Sequence, residues 1–282
     1  MKITKELPKV EVGSRFLGDI LTDCNTHGRT KHLNLNGSIY CYQCNDAKIK
    51  IARDKRMKIN SENIKALMTA KMISKGVSIN KGRFSDWQYD ETKNAEQRDK
   101  IAQLQQYSES INSDSPNLII LGRTGTGKTM LANAIAINLY LQKHQSLPSE
   151  FDSYNQQNFY DHTCELITSF NIGSQARACW GNSQKSEDDY LQNLAANELL
   201  IIDDLGAGDR HAKDRERISQ IIISRHEKAP TVITTNMDIA DLHEFLGDRA
   251  WDRLRENLLV MVCDWDSYRA KNAVIQLVGS AQ

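Results

Sequence analysis

The sequence predicts an α/β fold built on a central parallel sheet, and three short stretches carry that prediction. They are Leu118–Leu121, Leu199–Ile202 and Thr231–Thr235, each apolar or β-branched at every position and each followed by polar residues. Such runs are typical of parallel strands that are buried on both faces. Residues 130–142 are apolar nearly all round, as expected of a helix packed against a sheet. Since the carboxyl ends of parallel strands meet at one edge, the polar residues after the three strands are expected to converge.

The glycine-rich loop after the first strand, called the P-loop below, predicts a site for a nucleoside triphosphate. It has the spacing G-x-x-x-x-G-K-T between a strand and a helix, which is the context that this motif requires. Its glycines let backbone N–H groups surround phosphate oxygens, and the dipole of the following helix favours the same anion. Lys128 supplies a positive charge for the outer phosphates, and the Thr129 hydroxyl is a suitable ligand for Mg²⁺. The residues of the P-loop are Gly122, Arg123, Thr124, Gly125, Thr126, Gly127, Lys128 and Thr129.

Polar residues at the ends of the other two strands complete the predicted site. Asp203 and Asp204 follow the second strand, and Asn236 follows the third. We expect Asp203 to hold Mg²⁺ and Asp204 to orient or deprotonate the attacking water. The amide of Asn236 can position that water against the γ-phosphate, although an asparagine at this place could also cap the next helix. The sequence therefore predicts nucleotide hydrolysis.

Two arginines lie four residues apart in the segment that follows. Arg249 and Arg253 share one face of a predicted helix. They could pair with Asp252 or Glu256, which is a structural role. Alternatively, one arginine is offered to a γ-phosphate, often in a neighbouring subunit, where it accelerates hydrolysis by ~10³–10⁵. A last strand is predicted at residues 258–262.

Near the amino terminus, two pairs of residues have the spacing of zinc knuckles. They are Cys24-x-x-His27 and Cys41-x-x-Cys44, separated by a segment of hairpin length with Gly37 at its expected tip. Thiolates and an imidazole favour Zn²⁺ over hard cations. Four protein ligands leave no open position, so the metal is expected to be structural and to supply folding energy. His32 is a competing ligand outside the knuckle spacing.

The pattern of the remaining chain sets the expected domain boundaries. Residues 1–76 are predicted as a zinc-binding and basic helical domain, 77–91 as a linker and 92–282 as the nucleotide-binding domain. A helix is expected over 45–75, with Ser61 as an N-cap and Gly76 after its end. Its basic face could contact nucleic acid or a protein partner, or could simply be solvated.

Several smaller features of the sequence are also assigned. A helix is predicted at residues 92–111, an insertion at 143–165 and a strand at about 164–170. Two aromatic residues ahead of the first strand either lie near the nucleotide base or dock the linker, and docking is favoured. Two residues of the polar stretch that follows the strand at about 164–170, Arg177 and Trp180, either contact DNA or lie on the surface. Three scattered cysteines are predicted to be small core residues. The two aromatic residues are Phe84 and Trp87, the two residues of the polar stretch are Arg177 and Trp180, and the three cysteines are Cys164, Cys179 and Cys263.

Composition excludes some classes of protein and leaves others open. Acidic and basic residues balance at 36 each, so the total charge indicates no partner. The amino terminus has no apolar signal core, and no apolar run approaches the ~20 residues that a membrane span needs. We therefore expect a cytoplasmic protein with no membrane partner. Six cysteines among 282 residues do not indicate a disulfide framework.

Taken together, these motifs resemble the DnaC-type helicase loaders of the AAA+ ATPase superfamily over roughly residues 84–272. The arginine segment Gly247–Leu254 and the tail Asp264–Arg269 are more specific to this family than the P-loop, which many families share. The zinc-knuckle start resembles phage and plasmid-type versions of these loaders. The resemblance rests on Gly122–Thr129, Leu199–Gly206, Thr234–Asn236, Gly247–Leu254 and Asp264–Arg269.

The resemblance implies a set of roles and partners. The fold would be an AAA+ domain that uses ATP and Mg²⁺. Asn236 would be the sensor asparagine, Arg253 the arginine finger and Arg249 a phosphate sensor acting in its own subunit. The N-terminal domain would bind a hexameric, DnaB-like replicative helicase. The ATPase domain would bind single-stranded DNA and self-assemble, and ATP would open or hold the helicase ring during its placement on DNA.

Two departures from the family pattern and three alternatives remain. The acidic pair is Asp203-Asp204 where many AAA+ proteins have Asp-Glu, which implies slow turnover, and residues 143–198 are longer than usual. One alternative is an IstB-like transposition helper that acts with a transposase on duplex DNA; the tail Trp265–Arg269 and the zinc-type start favour the loader. A small-molecule phosphotransferase is disfavoured by Asn236 and the paired arginines. The third is a zinc-dependent DNA-binding module whose nucleotide only stabilises assembly.

Overall fold

The chain is divided into two compact units in the computed structural model, residues 1–64 and 65–282. The described residues are 16–26, 28–35, 38–80, 82–87, 89, 94–145, 163–180, 186–206 and 212–271. The division lies inside a long helix, ahead of the predicted boundary at residue 76. Among the helices of these residues, none has both the length and the apolar character needed to cross a bilayer.

The first unit contains a three-stranded antiparallel sheet that leads into a long helix. The strands β1 (Phe16–Cys24), β2 (Gly28–Leu35) and β3 (Ser38–Cys41) are adjacent in chain order, and α1 spans Tyr42–Ser74.

The course of α1 differs in one respect from the prediction. The helix is continuous through Ser61, so the predicted N-cap there was wrong, because a capping serine requires a non-helical backbone. Its end agrees with the prediction: Gly76 has φ +78°, and the Val77 N–H donates to the Met72 carbonyl at 2.9 Å.

The second unit is organised around a five-stranded sheet in which every pair of neighbouring strands is parallel. The spatial order is β5-β6-β7-β4-β8. This arrangement confirms the predicted central parallel sheet. The strand bounds are β4 Asn117–Gly122, β5 Cys164–Thr168, β6 Leu199–Leu205, β7 Thr231–Thr235 and β8 Leu258–Cys263.

Helices cover both faces of this sheet. Residues 146–162, most of the predicted insertion, lie outside the described residues, but the strand expected after them is present as β5. The helices of the second unit are α2 Asn94–Glu109, α3 Lys128–Gln145, α4 Ser169–Ala178, α5 Glu187–Ala195, α6 Ala212–Arg225, α7 Ile239–Leu246, α8 Asp248–Arg255 and α9 Tyr268–Lys271.

The side chains of β4 show how the sheet separates two apolar cores. Leu118 and Ile120 belong to a core that includes residues of α2 and α3, whereas Ile119 and Leu121 belong to a core that includes residues of α4 to α8. Alternation between the two faces is the normal consequence of the strand period of two. Because both faces are covered, the sheet has only its edges and strand ends free, and the polar residues gather at the carboxyl ends.

Two further sequence assignments are settled by burial. Val77 and Trp87, in the segment predicted as a linker, are buried in the same core as α3. Cys164 and Cys263 are fully buried, as predicted for core residues, whereas Cys179 is only partly buried.

Candidate nucleotide site

The P-loop connects the end of β4 to the start of α3, and its glycines are required by close packing. Gly127 has φ +91°, and a Cβ atom added there would lie 2.6 Å from the ring of Trp87. Gly125 has φ +87°, and its Cβ would lie 2.0 Å from the Ser267 hydroxyl. The buried ring of Trp87 leaves no room for a Cβ atom at Gly127, and the positive φ at both positions strains any residue that has a side chain, so glycine is favoured at each.

Aromatic residues that lie far apart in the sequence pack against the P-loop. Trp87 is buried and makes edge-to-face contacts with Trp265 and Tyr268, with ring centroids 5.9 and 5.3 Å apart. The indole N–H of Trp265 donates to the Thr126 carbonyl at 2.8 Å, and the Tyr268 backbone N–H donates to the Gly125 carbonyl at 2.9 Å. The Trp-Asp-Ser-Tyr-Arg tail is therefore part of the wall that fixes the loop.

Lys128 extends its ammonium into the centre of the site. It donates to the carbonyls of Gly122 and Arg123 at 2.8 and 3.0 Å and to Oδ1 of Asn236 at 2.6 Å. The residue is only 7% exposed. Burial lowers the pKa of the Lys128 ammonium, while the carboxylates of Asp204 and Asp203 oppose that shift.

Thr129 and Asp203 together offer oxygen atoms that suit a magnesium ion. The Thr129 hydroxyl lies 3.0 and 3.1 Å from the two carboxylate oxygens of Asp203. Asp203 is 5% exposed, so its charge is largely withdrawn from water. Hydroxyl and carboxylate oxygens are the ligand types that Mg²⁺ prefers, and the adjacent P-loop can supply the phosphates that share the ion. The residues present therefore fit Mg²⁺ bound together with a nucleotide.

Asn236 connects the lysine with the second aspartate. Its Oδ1 accepts from Lys128, and its Nδ2 donates to Oδ1 of Asp204 over a long 3.5 Å. The alternative role of Asn236 as a helix cap is wrong, because Asp238 caps α7 by accepting from the Asp241 N–H. The structure thus brings together the side chains from the three strand ends, as the sequence predicted.

Arg249 and Arg253 lie elsewhere, on the exposed surface of α8. Arg253 lines a cavity of about 330 Å³ together with Asn117 and Thr231, the first residues of β4 and β7. The side chain of Asn117 also donates to the carbonyl of Leu254 at 3.0 Å, which fixes α8 at that end of the sheet. The P-loop follows the opposite end of β4, roughly 17 Å away for a strand of this length.

The acids near these arginines have other partners. Asp252 pairs with Arg255 at 2.7 Å, and Glu256 pairs with His226. His226 lowers the pKa of the Glu256 carboxyl, and Arg253 contributes a smaller share in the same direction. Among the described ion pairs, none joins Arg249 or Arg253 to Asp252 or Glu256, so the pairs that a purely structural role required are not formed within those residues.

One basic residue beside the P-loop was missed by the sequence analysis. The Cβ of Arg269 lies 3.6 Å from a Cβ atom added at Gly125, and its charge contributes to lowering the pKa of Lys128. The sequence showed only that Arg269 ends the tail motif, and a motif alone does not tell how close a residue lies to the P-loop. The role of Arg249 as a phosphate sensor in its own subunit stays a prediction, since the described contacts of the P-loop include Arg269 and not Arg249.

Arg177 and Trp180 belong to a network of charges between three helices. Arg177 donates to both carboxylate oxygens of Asp214 at 2.8 Å, and the Trp180 indole N–H donates to Glu187 at 2.6 Å. The buried Arg217 pairs with both acids. Arg177 is thus held in a structural ion pair, whereas Trp180 remains 56% exposed.

Of the four predicted zinc ligands, the structure describes the side chains of Cys41 and Cys44. Cys41 is buried at the end of β3, and Cys44 is partly buried in the first turn of α1. The Cα of Cys24 pairs with that of Gly28, while the Cα of Cys41 pairs with that of His32. His27 lies outside the described residues. The sheet register therefore places the competing ligand His32 directly opposite Cys41.

Comparison with known proteins agrees with the assignment of the second unit. The model of the IstB-like ATP binding protein family matches residues 178–275. The replicative helicase loader DnaC of Escherichia coli strain K12 is 30% identical over 177 residues, which are 62% of this chain and 65% of that protein. The insertion sequence IS21 putative ATP-binding protein of Pseudomonas aeruginosa is 26% identical over 162 residues, 56% of this chain and 54% of that protein.

A solved structure supports the same fold. Domain III of the Thermotoga maritima replication initiation protein DnaA aligns with a TM-score of 0.50 at 16% identity, over 66% of this chain and 68% of that chain. The predicted AAA+ fold and the predicted resemblance to DnaC-type loaders are thus confirmed. The match spans about 65% of the length of the DnaC relatives.

Proposed function

We propose that this chain, whose nucleotide-binding unit is similar to that of DnaC-type helicase loaders, is an ATP-dependent loader of a hexameric, DnaB-like replicative helicase onto single-stranded DNA. The observation that carries the proposal is the convergence of Lys128, Thr129 with Asp203, and Asp204 with Asn236 at one edge of the sheet. That arrangement has the parts needed for ATP hydrolysis. The similarity to loaders named for replicative helicases supplies the partner.

The chemistry of hydrolysis follows from the residues at this edge. P-loop N–H groups and the Lys128 ammonium would hold the outer phosphates, and Thr129 and Asp203 would hold Mg²⁺. The ion, when bound, neutralises charge that develops on the phosphate oxygens. Asp204 orients or deprotonates the attacking water, and Asn236 aligns it with the γ-phosphate. Because aspartate is one methylene shorter than the glutamate common in this position, we propose a slow turnover that suits a timed switch.

The distance between Arg253 and its own P-loop supports self-assembly through the ATPase unit. A side chain at the amino end of β4 cannot reach a phosphate bound about 17 Å away at the carboxyl end. Arg253 is therefore proposed to act on the nucleotide of a neighbouring chain. For single-stranded DNA, the support is the exposure of Phe170 and Trp180, 58% and 56%, since aromatic faces stack nucleotide bases.

Native mass spectrometry tests this function directly. The full chain is mixed with the hexameric replicative helicase of its host, without nucleotide, with ADP and with ATP. Several chains per hexamer are expected, in a complex whose abundance changes with ATP. The Lys128→Ala variant is the control: it keeps residues 1–64 intact and should bind the helicase without any effect of ATP.

A second candidate function is favoured by the match of residues 178–275 to the IstB-like family. Such a transposition helper would assemble on duplex DNA with a transposase. Absence of a helicase complex under all three nucleotide conditions, together with ATP-dependent binding to duplex DNA, would replace the loader by this helper.

We also propose one structural zinc ion in the N-terminal unit, held by Cys41, Cys44, Cys24 and His27. Elemental analysis of the purified chain should give one zinc per chain, which is lost in Cys41→Ser and retained in the control Cys179→Ser. Loss of the metal should unfold the N-terminal unit, because so small a unit depends on its metal for stability. A folded, metal-free wild type would contradict this proposal.

The imidazole ligand is identified by a matched pair of variants. His27→Ala should lose zinc and His32→Ala should keep it. The opposite result would assign the ligand to His32, which the sheet register places opposite Cys41.

A further inference from the structure

The two aspartates of the site lie on an irregularity between β6 and β7. The register pairs Ile202 with Ile233 and then Leu205 with Thr235. Asp203 and Asp204 are consequently two residues opposite a single one, Thr234, which is the arrangement of a β-bulge. Bulges bend the strand and re-aim side chains, and they are common beside active sites.

The backbone of Asp204 has an unusual conformation at this bulge. Its φ is +55°, one of two positive values among the non-glycine residues that the structure describes. Aspartate tolerates this left-handed region better than most residues, but the surrounding structure has to hold it there. The direction of the Asp204 carboxylate therefore depends on whatever fixes its backbone.

Two buried hydroxyl groups do this. The Thr234 hydroxyl accepts from the Asp204 N–H at 2.9 Å and donates to Oδ1 of Asp203 at 2.6 Å. From the other side, the Ser169 hydroxyl donates to the Asp204 carbonyl at 3.1 Å. Both residues are 1% exposed, so water cannot replace either contact. The single oxygen of Thr234 thus contacts both acids, the backbone of Asp204 and the carboxylate of Asp203.

We propose that Thr234 is the positioning residue of the acidic pair, with Ser169 as its counterpart on the opposite side of the Asp204 peptide. Thr234 turns the Asp203 carboxylate toward Thr129, and it anchors the Asp204 amide so that the Asp204 carboxylate reaches Asn236. Valine has nearly the shape of threonine, so packing alone does not account for a hydroxyl at this buried position. This inference rests on the proposed ATPase function and adds a residue that controls it.

The test compares Thr234→Val with Thr234→Ser in steady-state ATP hydrolysis at varied ATP and Mg²⁺. For Thr234→Val we expect kcat to fall ~10–100-fold, the usual range for a partner of a metal-binding carboxylate. The Mg²⁺ concentration at half-maximal rate should rise, while nucleotide binding without Mg²⁺ should stay within about twofold of wild type. Thr234→Ser should recover most of the rate, because it retains the hydroxyl.

Thr235 offers a matched control on the same strand. Its hydroxyl is also buried, donating to the Leu205 carbonyl at 2.7 Å and accepting from the Met237 N–H at 3.0 Å, and it contacts neither acid. Thr235→Val therefore loses a similar pair of hydrogen bonds. It is expected to lower stability while leaving the Mg²⁺ dependence unchanged.

Ser169→Ala keeps the inference testable if Thr234→Val does not fold. It should lower kcat while leaving the Mg²⁺ dependence close to wild type, because Ser169 contacts only the backbone of Asp204. A wild-type rate and wild-type Mg²⁺ dependence in Thr234→Val would overturn the inference while leaving the proposed function standing, and so would an equal loss in Thr234→Ser. A wild-type chain that neither binds nor hydrolyses Mg²⁺-ATP would instead overturn the proposed function itself.

Discussion

Lys128→Ala is expected to weaken ATP binding by at least ~100-fold and to abolish hydrolysis. The ammonium is buried at the centre of the site and directed by two P-loop carbonyls and Asn236. Each charge-assisted hydrogen bond that it would make to phosphate contributes ~1.5–3 kcal/mol, so losing two corresponds to a factor of ~10²–10⁴. Titration with a fluorescent ATP analogue measures this directly.

Two variants make the interpretation of Lys128→Ala specific. Lys128→Met preserves the apolar stem and should bind ATP as poorly as the alanine variant, which would assign the loss to the charge. Lys143→Ala removes a lysine from the last turn of the same helix, where it pairs with Glu198, and should bind like wild type. An ATP affinity of Lys128→Ala within about twofold of wild type would contradict the assignment of the nucleotide site.

Mixing variants extends the same experiment to the arginine finger. Arg253→Ala should keep ATP binding, and its rate of hydrolysis should fall by ~10³-fold or more. In a mixture with Lys128→Ala, an intact P-loop from one chain can meet an intact Arg253 from the other, so part of the activity should return. Arg255→Ala is the matched control, because Arg255 lies on the same helix and pairs with Asp252. Absence of rescue at any mixing ratio would argue against a site shared between chains.

The convergence of polar side chains at one edge of the sheet was predictable because its determinants are local in sequence. Each of the strands β4, β6 and β7 contains a run that is buried on both faces and is apolar or β-branched without interruption, namely Leu118–Leu121, Leu199–Ile202 and Thr231–Thr235. The polar residues that follow them can only meet at one edge. Lys128, Asp203 and Asn236 were therefore located without knowledge of any distance. The N-cap prediction at Ser61 failed for the complementary reason, since a local capping signal cannot outweigh a helix that continues on both sides.

What could not be predicted depends on contacts between residues far apart in the chain. Trp265 donates to a carbonyl 139 residues away, and no periodicity in the sequence relates it to Trp87. The β-bulge at Asp204 arises from pairing between β6 and β7, whereas the sequence there shows only an apolar run that ends in two acids. Such features become visible only when the register between strands is known.

Arg225 also stabilises the fold through contacts that the sequence pattern does not reveal. We expect Arg225→Met to lower the free energy of unfolding by ~4 kcal/mol or more. The guanidinium is 2% exposed at the end of α6. It donates to the Thr231 hydroxyl and to three backbone carbonyls, those of Ala195, Asn197 and Pro230. Burial lowers the pKa of Arg225 to about 10, so the group still carries its charge at neutral pH.

These bonds tie the chain ahead of β6 to the start of β7. In the methionine variant, each of four buried acceptors loses one hydrogen-bond donor. Where water cannot enter, each such loss lowers the free energy of unfolding by ~1–3 kcal/mol. Arg225 also lines the cavity beside Arg253, which admits some water and places the expected loss toward the lower end of that sum. Against a typical total stability of ~5–15 kcal/mol, even that loss is severe.

Urea denaturation of the full chain checks this prediction, following the transition of the ATPase unit by tryptophan fluorescence. Arg225→Lys should fall between wild type and Arg225→Met, because an ammonium keeps the charge but cannot reproduce the planar fork of donors. Arg215→Met is the control on the same helix: Arg215 is exposed, with its guanidinium 5.0 Å from the centre of the Phe245 ring, and the variant should lose no more than ~1 kcal/mol. Equal midpoints for the two methionine variants would show that the four acceptors find other partners. A large loss for Arg225→Met alone would show that the bonds joining the chain ahead of β6 to the start of β7 stabilise the sheet on which Asp203, Asp204 and Thr234 lie.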